Sequence, residues 1–301
     1  MTDELTQVVQ WLGLRMRVPE EWEIVRHSLA FDKGTLVFVD RRRETLRLHW
    51  RDCQRAPDLN RMLGDQRGKE ALEFSGSKFR ELNGHPGWQG FIREQNVDVR
   101  ITHAAHFDVR TMRLIEVIAT ETCDEATAKS HFARLLSNVD VVSRADEARS
   151  FCAFGLDVTV PPGFRLTKAS VKPADIVFEF AESSGDRAHP TGTRATVRRM
   201  GMAAAFAPAD KQQLLQRESP DVSFRSIRTV SKPGHAAWSA RGKQTHPRLM
   251  HLLGLGRHCD ALLWHCESKN AIYSIATNHT KRKPLGAGSF STTCCAEGFY
   301  D

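Results

Sequence analysis

The sequence lacks the features of secreted and membrane-spanning proteins. No apolar run approaches the roughly 20 residues that a helix needs to cross a bilayer. The first residues, Met1–Leu5, are acidic where a secretory signal would be positively charged. The seven cysteines are odd in number, and they do not have the spacing of a disulfide framework. We therefore expect a cytoplasmic protein with reduced thiols.

The motifs of the common enzyme classes are also absent from the sequence. It contains no Walker loop, no His-Glu-x-x-His and no Gly-x-Ser-x-Gly. The run Leu253–Arg257 contains Gly-x-Gly, but it lacks the third glycine of a dinucleotide-binding loop. These absences favour a non-enzymatic protein.

Excess positive charge is confined to the second half of the chain. Residues 1–150 contain 23 basic and 24 acidic side chains, a net charge of −1, whereas residues 151–301 contain 20 and 12, a net charge of +8. A basic half beside a neutral half suggests an acidic partner for the second half. For the charge asymmetry by itself, a solvated basic surface without a partner is the preferred interpretation.

Two sequence patterns occur twice and predict a duplicated domain. Gly-His-x-x-Trp occurs at residues 84–88 and again at residues 234–238. Upstream of these copies, Val18-Pro19 precedes Trp22, and Val160-Pro161 precedes Phe164. With 301 residues, the chain has the length expected of two domains. We assign the first domain to residues 1–142, a polar linker to 143–151 and the second domain to 152–301.

Within each half, the hydrophobic pattern predicts strands interrupted by helices. Strands are predicted at 14–18, 22–27, 34–40, 44–50, 88–93, 97–107 and 111–121, then at 156–160, 164–168, 175–182, 194–200, 237–242, 262–267 and 271–277. Helices are predicted over Asp3–Leu12, from the Pro57 region onward, and after a capping box at Thr122–Glu125. The expected fold class is α+β, with helices covering a mainly antiparallel sheet in each domain.

The second half departs from this plan after Thr277. Residues 278–289 are basic, rich in glycine and interrupted by Pro284, so no closing amphipathic helix is predicted there. The sheet is then either open to a partner or covered by another element of the chain, and cover from within the chain is our expectation.

The chain resembles the family of the PsbP subunit of photosystem II, the Ran-binding Mog protein and the DcrB-like proteins. The residues that carry the resemblance are 18–22, 84–88 and the region of Phe132 and Leu136, then 160–164 and 234–238. The resemblance implies an α/β/α sandwich that docks on protein partners without catalysing a reaction. It covers most of both halves.

Candidate binding residues lie mainly in the second half. Lys281, Arg282 and Lys283 could contact an acidic partner, and His235 and Trp238 belong to the repeated turn. A structural role in the turn is the preferred interpretation for His235, as for His85. Nucleic acid is a third hypothesis, which the absence of a recognition module disfavours.

Late cysteines and histidines form a candidate zinc site. The residues are His258, Cys259, His265, Cys266, Cys294 and Cys295, whose thiolate and imidazole groups are the ligands that zinc prefers. Cys259 and Cys266 are seven residues apart, so an uninterrupted strand places them on opposite faces. No cofactor is expected from this spacing.

The leading hypothesis is a protein-binding or assembly module, and the alternative is a metal- or thiol-dependent enzyme or zinc-binding protein.

Overall fold

Antiparallel strands dominate the structure. In this computed structural model, 58% of the residues are in strands and 14% are in helices. The structure describes residues 5–41, 43–96, 99–121, 132–144, 147–184, 187–188, 192–206, 211–232, 234–244, 257–280 and 284–294. The expected α+β sandwich flanked by helices is therefore wrong, and the fold is mainly β. The helices cover only parts of sheets whose strands satisfy one another's backbone hydrogen bonds. Among the residues described, no helix is long and apolar enough to cross a membrane.

Unit 1 comprises Met1–Ala148. Its strands are β1 (Gln7–Trp11), β2 (Leu14–Val18), β3 (Glu23–His27), β4 (Lys33–Val39), β5 (Glu44–Asp52), β6 (Lys78–Glu81), β7 (Gln89–Asn96), β8 (Val99–Asp108), β9 (Arg113–Glu121) and β10 (Asp140–Val141). Helix α1 spans Leu59–Glu73, and residues 132–137 are also helical. The large sheet has the order β3-β4-β5-β9-β8-β7-β6, and a small sheet has the order β10-β2-β1.

Unit 2 comprises Arg149–Asp301. Its strands are β11 (Ser150–Ala153), β12 (Leu156–Thr159), β13 (Phe164–Lys172), β14 (Asp175–Ser184), β15 (Arg187–Ala188), β16 (Arg194–Gly201), β17 (Val222–Lys232), β18 (His235–Gln244), β19 (Arg257–Cys266), β20 (Ala271–Thr280) and β21 (Ser291–Thr293). Helices α2 and α3 span Ala203–Phe206 and Lys211–Glu218, and Ala287–Ser289 forms a 3-10 helix.

The two units have the same strand plan. The large sheet of unit 2 has the order β13-β14-β16-β20-β19-β18-β17, with β15 added beside β14, and its small sheet has the order β11-β12-β21. In each large sheet the third strand along the chain pairs with the last one. The inference that the halves arose by duplication stays a prediction, since a shared plan is an architectural observation.

The predicted helix over Asp3–Leu12 is wrong, because Gln7–Trp11 forms β1. A two-residue turn reverses the chain after Trp11, with positive φ at both Leu12 (47°) and Gly13 (81°). Two positive φ values are characteristic of the type I′ turn, whose twist matches that of paired strands. Pairing with β2 therefore overrides the helical spacing of the apolar residues. The same turn occurs in unit 2 at Phe154 (58°) and Gly155 (72°).

The middle helix of unit 1 begins where a side chain can cap it. The Asp58 carboxylate accepts a hydrogen bond from the backbone N–H of Arg61 at 3.0 Å, which satisfies one of the donors left free at the start of α1. Pro57, expected in the first turn, precedes the helix. The capping box predicted at Thr122–Glu125 lies outside the described residues.

The closing segments of the two units differ. In unit 1, residues 132–137 bury Phe132, Leu135 and Leu136. In unit 2, a 3-10 helix and β21 take that place in the chain, and Phe290 between them packs on Phe164 with ring centroids 5.2 Å apart. The sequence expectation that unit 2 lacks a closing amphipathic helix agrees with this arrangement.

Candidate functional site

The edge strand β17 is the first candidate for a functional surface. It stands at the end of the large sheet of unit 2 and pairs with β18 alone in the described order, from Val222 opposite Gln244 to Lys232 opposite His235. It is 11 residues long, whereas β6 at the corresponding end of unit 1 has four residues. One edge of β17 therefore carries a long row of backbone groups outside any ladder of the described sheet.

Basic side chains lie along this edge. Arg225 and Arg228 are exposed, and Arg225 stands at a register shift between Phe224 and Ser226. Side chains opposite each other in an antiparallel pair share a face, so Arg228 shares a face with Arg241 on β18. The Arg241 guanidinium lies 3.4 Å from the Asp260 carboxylate and is 80% exposed, so this ion pair contributes little to stability.

The other face of the same hairpin is apolar. Phe224, Ile227 and Trp238 pack against a buried cluster that includes Leu214, Leu215, Val222, Ala240, Cys259 and Leu263. Trp238, predicted as a binding residue, thus anchors the hairpin to α3 and the sheet. The predicted binding residues Lys281, Arg282 and Lys283 lie outside the described residues.

A thiol–imidazole cluster, formed by His235, Cys266 and Cys294, is the second candidate. Their ligand atoms all lie within 4.8 Å of one another. The Cys294 Sγ is 3.1 Å from His235 Nε2. Cys266 is fully buried, Cys294 is 9% exposed and His235 is partly buried. Three elements meet here: the start of β18, the end of β19 and the residue after β21.

Polar and aromatic groups surround this cluster. The Trp264 indole N–H donates to Cys294 Sγ at 3.4 Å, and Cys266 Sγ lies 3.3 Å from Ser268 Oγ. Tyr273 stacks on Trp264 with ring centroids 5.4 Å apart. Burial raises the pKa of the Tyr273 phenol, a hydrogen bond and the charge of Arg199 lower it, and the two nearby thiols raise it further.

Of the six predicted metal ligands, the structure brings Cys266 and Cys294 together. Cys259 lies in the apolar cluster on the opposite face of β19, where burial raises the pKa of its thiol to about 11. The His258 ring stacks on His279 at 6.0 Å. His265 lies between Ala236 and Ile272 in the sheet and is outside the cluster. Cys295 lies beyond the described residues.

The ligand absent from the sequence-based zinc set is His235. It is 59 residues from Cys294 in the chain, so local spacing gives no sign of their proximity. The repeated Gly-His-x-x-Trp pattern did single it out, with the preferred interpretation that it serves the turn. Gly234 does adopt a positive φ of 68°, as Gly84 does at 83°. His85, at the same place in the repeat, packs edge-on against Phe132 at 6.1 Å.

Unit 1 buries charge beneath its long helix. The Arg93 Nε lies 3.0 Å from Glu70 Oε2, and His103 Nε2 lies 2.8 Å from Glu70 Oε1, with all three residues buried. Both contacts are within ion-pair distance, but their angles do not meet the geometry of a hydrogen bond. Burial lowers the pKa of His103, Glu70 partly opposes this and Arg93 reinforces it. The imidazole is therefore neutral at pH 7, and Glu70 neutralises Arg93.

Two cavities flank this buried trio. One, of about 420 Å³, is lined by His49, Lys69, His103 and Glu116 among others. The other, of about 520 Å³, lies on the Trp88 side of α1. Burial also lowers the pKa of His49. Both linings are partly polar. This agrees with the composition of α1, which buries the Glu70 carboxylate where most helices bury an apolar stripe.

Comparisons with known proteins give structural likenesses only. No protein-family model and no curated protein matches the chain. Similar solved structures include the Saccharomyces cerevisiae Ran-binding protein Mog1p, at 13% identity, a TM-score of 0.30, and coverage of 45% of this chain and 82% of that one. The Pseudomonas aeruginosa T6SS immunity protein TplEi, in complex with "L" peptide, is 10% identical with a TM-score of 0.35. This match covers 95% of this chain and 91% of that one. The Tle4-Tli4 complex is 11% identical with a TM-score of 0.36, and the match covers 95% of this chain and 92% of that one.

A Mog protein, one of the proteins that the sequence led us to expect, is among these similar structures. The tandem relationship and the DcrB-like assignment stay predictions.

Proposed function

We propose that this chain is a protein-binding protein whose unit 2 accepts an extended, acidic segment of its partner along β17. The observation that carries the proposal is the length and openness of that edge strand. Addition of a strand to an open sheet edge is a common mode of peptide recognition, in which backbone hydrogen bonds supply affinity and side chains supply specificity. This function is of the same kind as the Ran binding named for Mog1p, but it rests on β17 itself.

The charges on β17 can either protect the edge from pairing or attract an acidic partner. The length of the strand helps to decide between these two interpretations. Charged side chains on an edge strand often protect it from unwanted pairing. Short length is another means of protection, and the edge strand β6 of unit 1 has only four residues. An edge of 11 residues with Arg225 and Arg228 exposed instead favours a partner that carries negative charge. The net charge of +8 in residues 151–301 acts in the same direction by attracting acidic partners.

A labelled acidic peptide tests the proposal directly. The probe is an eight-residue peptide of alternating glutamate with threonine or valine, and its binding to the full chain is measured by fluorescence anisotropy. We expect saturable binding that weakens with salt, because screening reduces the attraction between exposed charges. Hydrogen exchange is expected to slow in β17 on binding. Absence of binding at millimolar peptide would overturn the proposal.

Two controls distinguish strand addition from charge attraction alone. The same peptide with alternate backbone nitrogens methylated keeps its charges but loses donors, so it is expected to bind far more weakly. Equal binding by both peptides would exclude strand pairing. Arg225→Glu/Arg228→Glu is expected to weaken binding about tenfold or more. The matched variant Arg15→Glu/Arg17→Glu, which reverses two exposed charges on β2 of unit 1, is expected to bind normally.

A further inference from the structure

We propose that His235, Cys266 and Cys294 bind one Zn2+ ion, which fastens the closing segment of unit 2 to its large sheet. Two thiolates and an imidazole are a preferred donor set for this ion. Binding would release the two thiol protons, and the two resulting negative charges would balance the charge of the ion. A buried site with no net charge avoids most of the desolvation cost of an unpaired ion.

The distances suit such a site. With Zn–S near 2.3 Å and Zn–N near 2.0–2.1 Å, the ligand atoms of a tetrahedral ion are about 3.5–3.8 Å apart. Here the Cys294 Sγ to His235 Nε2 distance is 3.1 Å, and all three ligand atoms lie within 4.8 Å of one another. Shifts of up to about 1 Å, within reach of side-chain rotation, bring them to coordination geometry. The fourth position is left for solvent.

Strand register holds two of the ligands opposite each other. Ala236 pairs with His265, so the next residues outward, His235 and Cys266, face each other across β18 and β19. Cys294 immediately follows β21, whose Thr292 pairs with Val158. The ligands are therefore placed by three paired strands, a firmer support than loops provide.

Outer groups already favour metal-bound thiolates. The Trp264 N–H that donates to Cys294 Sγ stabilises negative charge on that sulfur, and the Ser268 hydroxyl lies at hydrogen-bonding distance from Cys266 Sγ. Partners of this kind orient ligands and raise metal affinity. Trp264 and Tyr273 form an aromatic wall that limits access of water.

Metal content and spectroscopy test the site. Untagged full-length protein, purified under reducing conditions from zinc-supplemented cells, is expected to contain about one zinc per chain. Replacement by Co2+ is expected to give thiolate-to-cobalt charge-transfer absorption and the intense visible bands of a tetrahedral ion. Zinc is expected to abolish that spectrum. Because this experiment uses the unmodified chain, its outcome does not depend on whether a variant folds.

Matched cysteine variants locate the ion. Cys294→Ser and Cys266→Ser are expected to lose the zinc, whereas Cys152→Ser, outside the cluster in the same unit, is expected to retain it. A chelator is expected to lower the Tm of the unmodified chain by about 5–10 °C, and to change the Tm of Cys294→Ser little. Arg225→Glu/Arg228→Glu is expected to keep its zinc, which separates this site from the peptide-binding edge.

Three results would overturn the proposal. One is a chain that retains no zinc and gives no cobalt spectrum at excess metal. The second is equal zinc content in the Cys266→Ser/Cys294→Ser variant, which would place the ion elsewhere. The third is a mass lower than that of the reduced chain by two hydrogen atoms, without metal, because the two thiols would then have been oxidised to a disulfide.

Discussion

The two units seat a helix on the same kind of sheet by opposite means. In unit 1, α1 rests on a buried trio of Glu70, Arg93 and His103. In unit 2, α3 buries Leu214 and Leu215 in an apolar cluster. The strand order is nevertheless the same in both. The paired strands therefore define the architecture, and the elements that cover them can be exchanged between charge pairing and hydrophobic packing.

The closing segments repeat this lesson. Unit 1 uses buried helical residues such as Phe132, with His85 packed on its ring. Unit 2 uses Phe290, a 3-10 helix and β21, with His235 beside Cys294. A histidine at one place in the repeat thus contacts an apolar ring in one unit and a potential metal ligand in the other. A new site can arise from a conserved plan by replacing what lies over it.

The largest effect that tests this comparison is expected at Glu70. Glu70→Ala leaves the Arg93 guanidinium buried without its counter-charge, and the free energy of unfolding of unit 1 is expected to fall by about 3–5 kcal/mol. In unit 2, Leu215→Ala removes apolar packing and is expected to cost about 2–4 kcal/mol. Hydrogen exchange measured by mass spectrometry reports the stability of each unit separately.

An apolar replacement shows whether charge is needed beneath α1. Glu70→Leu combined with Arg93→Met and His103→Phe is expected to regain most of the stability, because a complete apolar cluster needs no counter-charge. If Glu70→Ala alone left the exchange of unit 1 unchanged, the buried trio would not support the helix.

A smaller effect is expected at the shared turn. Ala at Gly13 would place its Cβ 2.2 Å from the Ser143 carbonyl oxygen at a φ of 81°, so Gly13→Ala is expected to cost about 3 kcal/mol. At Gly155 the nearest atom is 3.7 Å away on the Arg199 side chain, and only the φ of 72° opposes alanine. Gly155→Ala is expected to cost about 1 kcal/mol. Equal costs, measured by urea unfolding, would contradict this distinction.

The smallest effects concern pH, and the two units are expected to differ in sign. In unit 1, burial lowers the pKa of His49 and His103 from 6.5. Neutral imidazoles are favoured in the folded state, so their contribution to stability is complete above pH 6.5 and is lost as the pH falls below it. Faster hydrogen exchange in unit 1 at pH 5 than at pH 7, beyond the intrinsic change, is the expected result. His103→Gln is expected to reduce this dependence.

Unit 2 is expected to weaken at alkaline pH. Burial raises the pKa of Cys259 from 9.0 to about 11, so the folded state favours the neutral thiol. Its contribution to stability is complete below pH 9 and is lost as the pH rises from 9 to 11. Cys259→Ala is expected to reduce the dependence but not abolish it, because burial also raises the pKa of Cys152 in this unit to about 11. A similar alkaline loss in unit 1 would show that other groups cause it.

Much of the strand plan could be predicted from the sequence. Apolar and polar residues alternate over Leu14–Val18 and over 44–50, which indicates strands with one buried face. This pattern does not depend on which element covers the sheet. The helices were harder because tertiary contacts decide them. The apolar spacing of residues 5–12 fits a helix, but the Leu12–Gly13 turn pairs them as β1. The buried residue of α1 is a glutamate, so the sequence of this helix has no fully buried apolar stripe from which its packing face could be predicted.

The candidate site could be predicted only in part. Cys266 and Cys294 were singled out by their chemistry, and the odd separation from Cys259 correctly indicated the opposite face. His235 could not be joined to them, because its proximity depends on the pairing of β18 with β19. The open edge was also hidden, because the place of β17 at the end of the sheet follows from the strand order, which the hydrophobic pattern does not show.

The pairing of β10 and β21 has a kinetic consequence. Val141 lies opposite Leu14 in unit 1, and Thr292 lies opposite Val158 in unit 2, so each small sheet joins strands more than a hundred residues apart in sequence. Such contacts carry the largest loop-closure cost and form late. Each large sheet, built mostly of neighbouring hairpins, can assemble first. We therefore expect the small sheet to lack its last strand until late in folding, which leaves the edge of β2 or β12 open to mispairing.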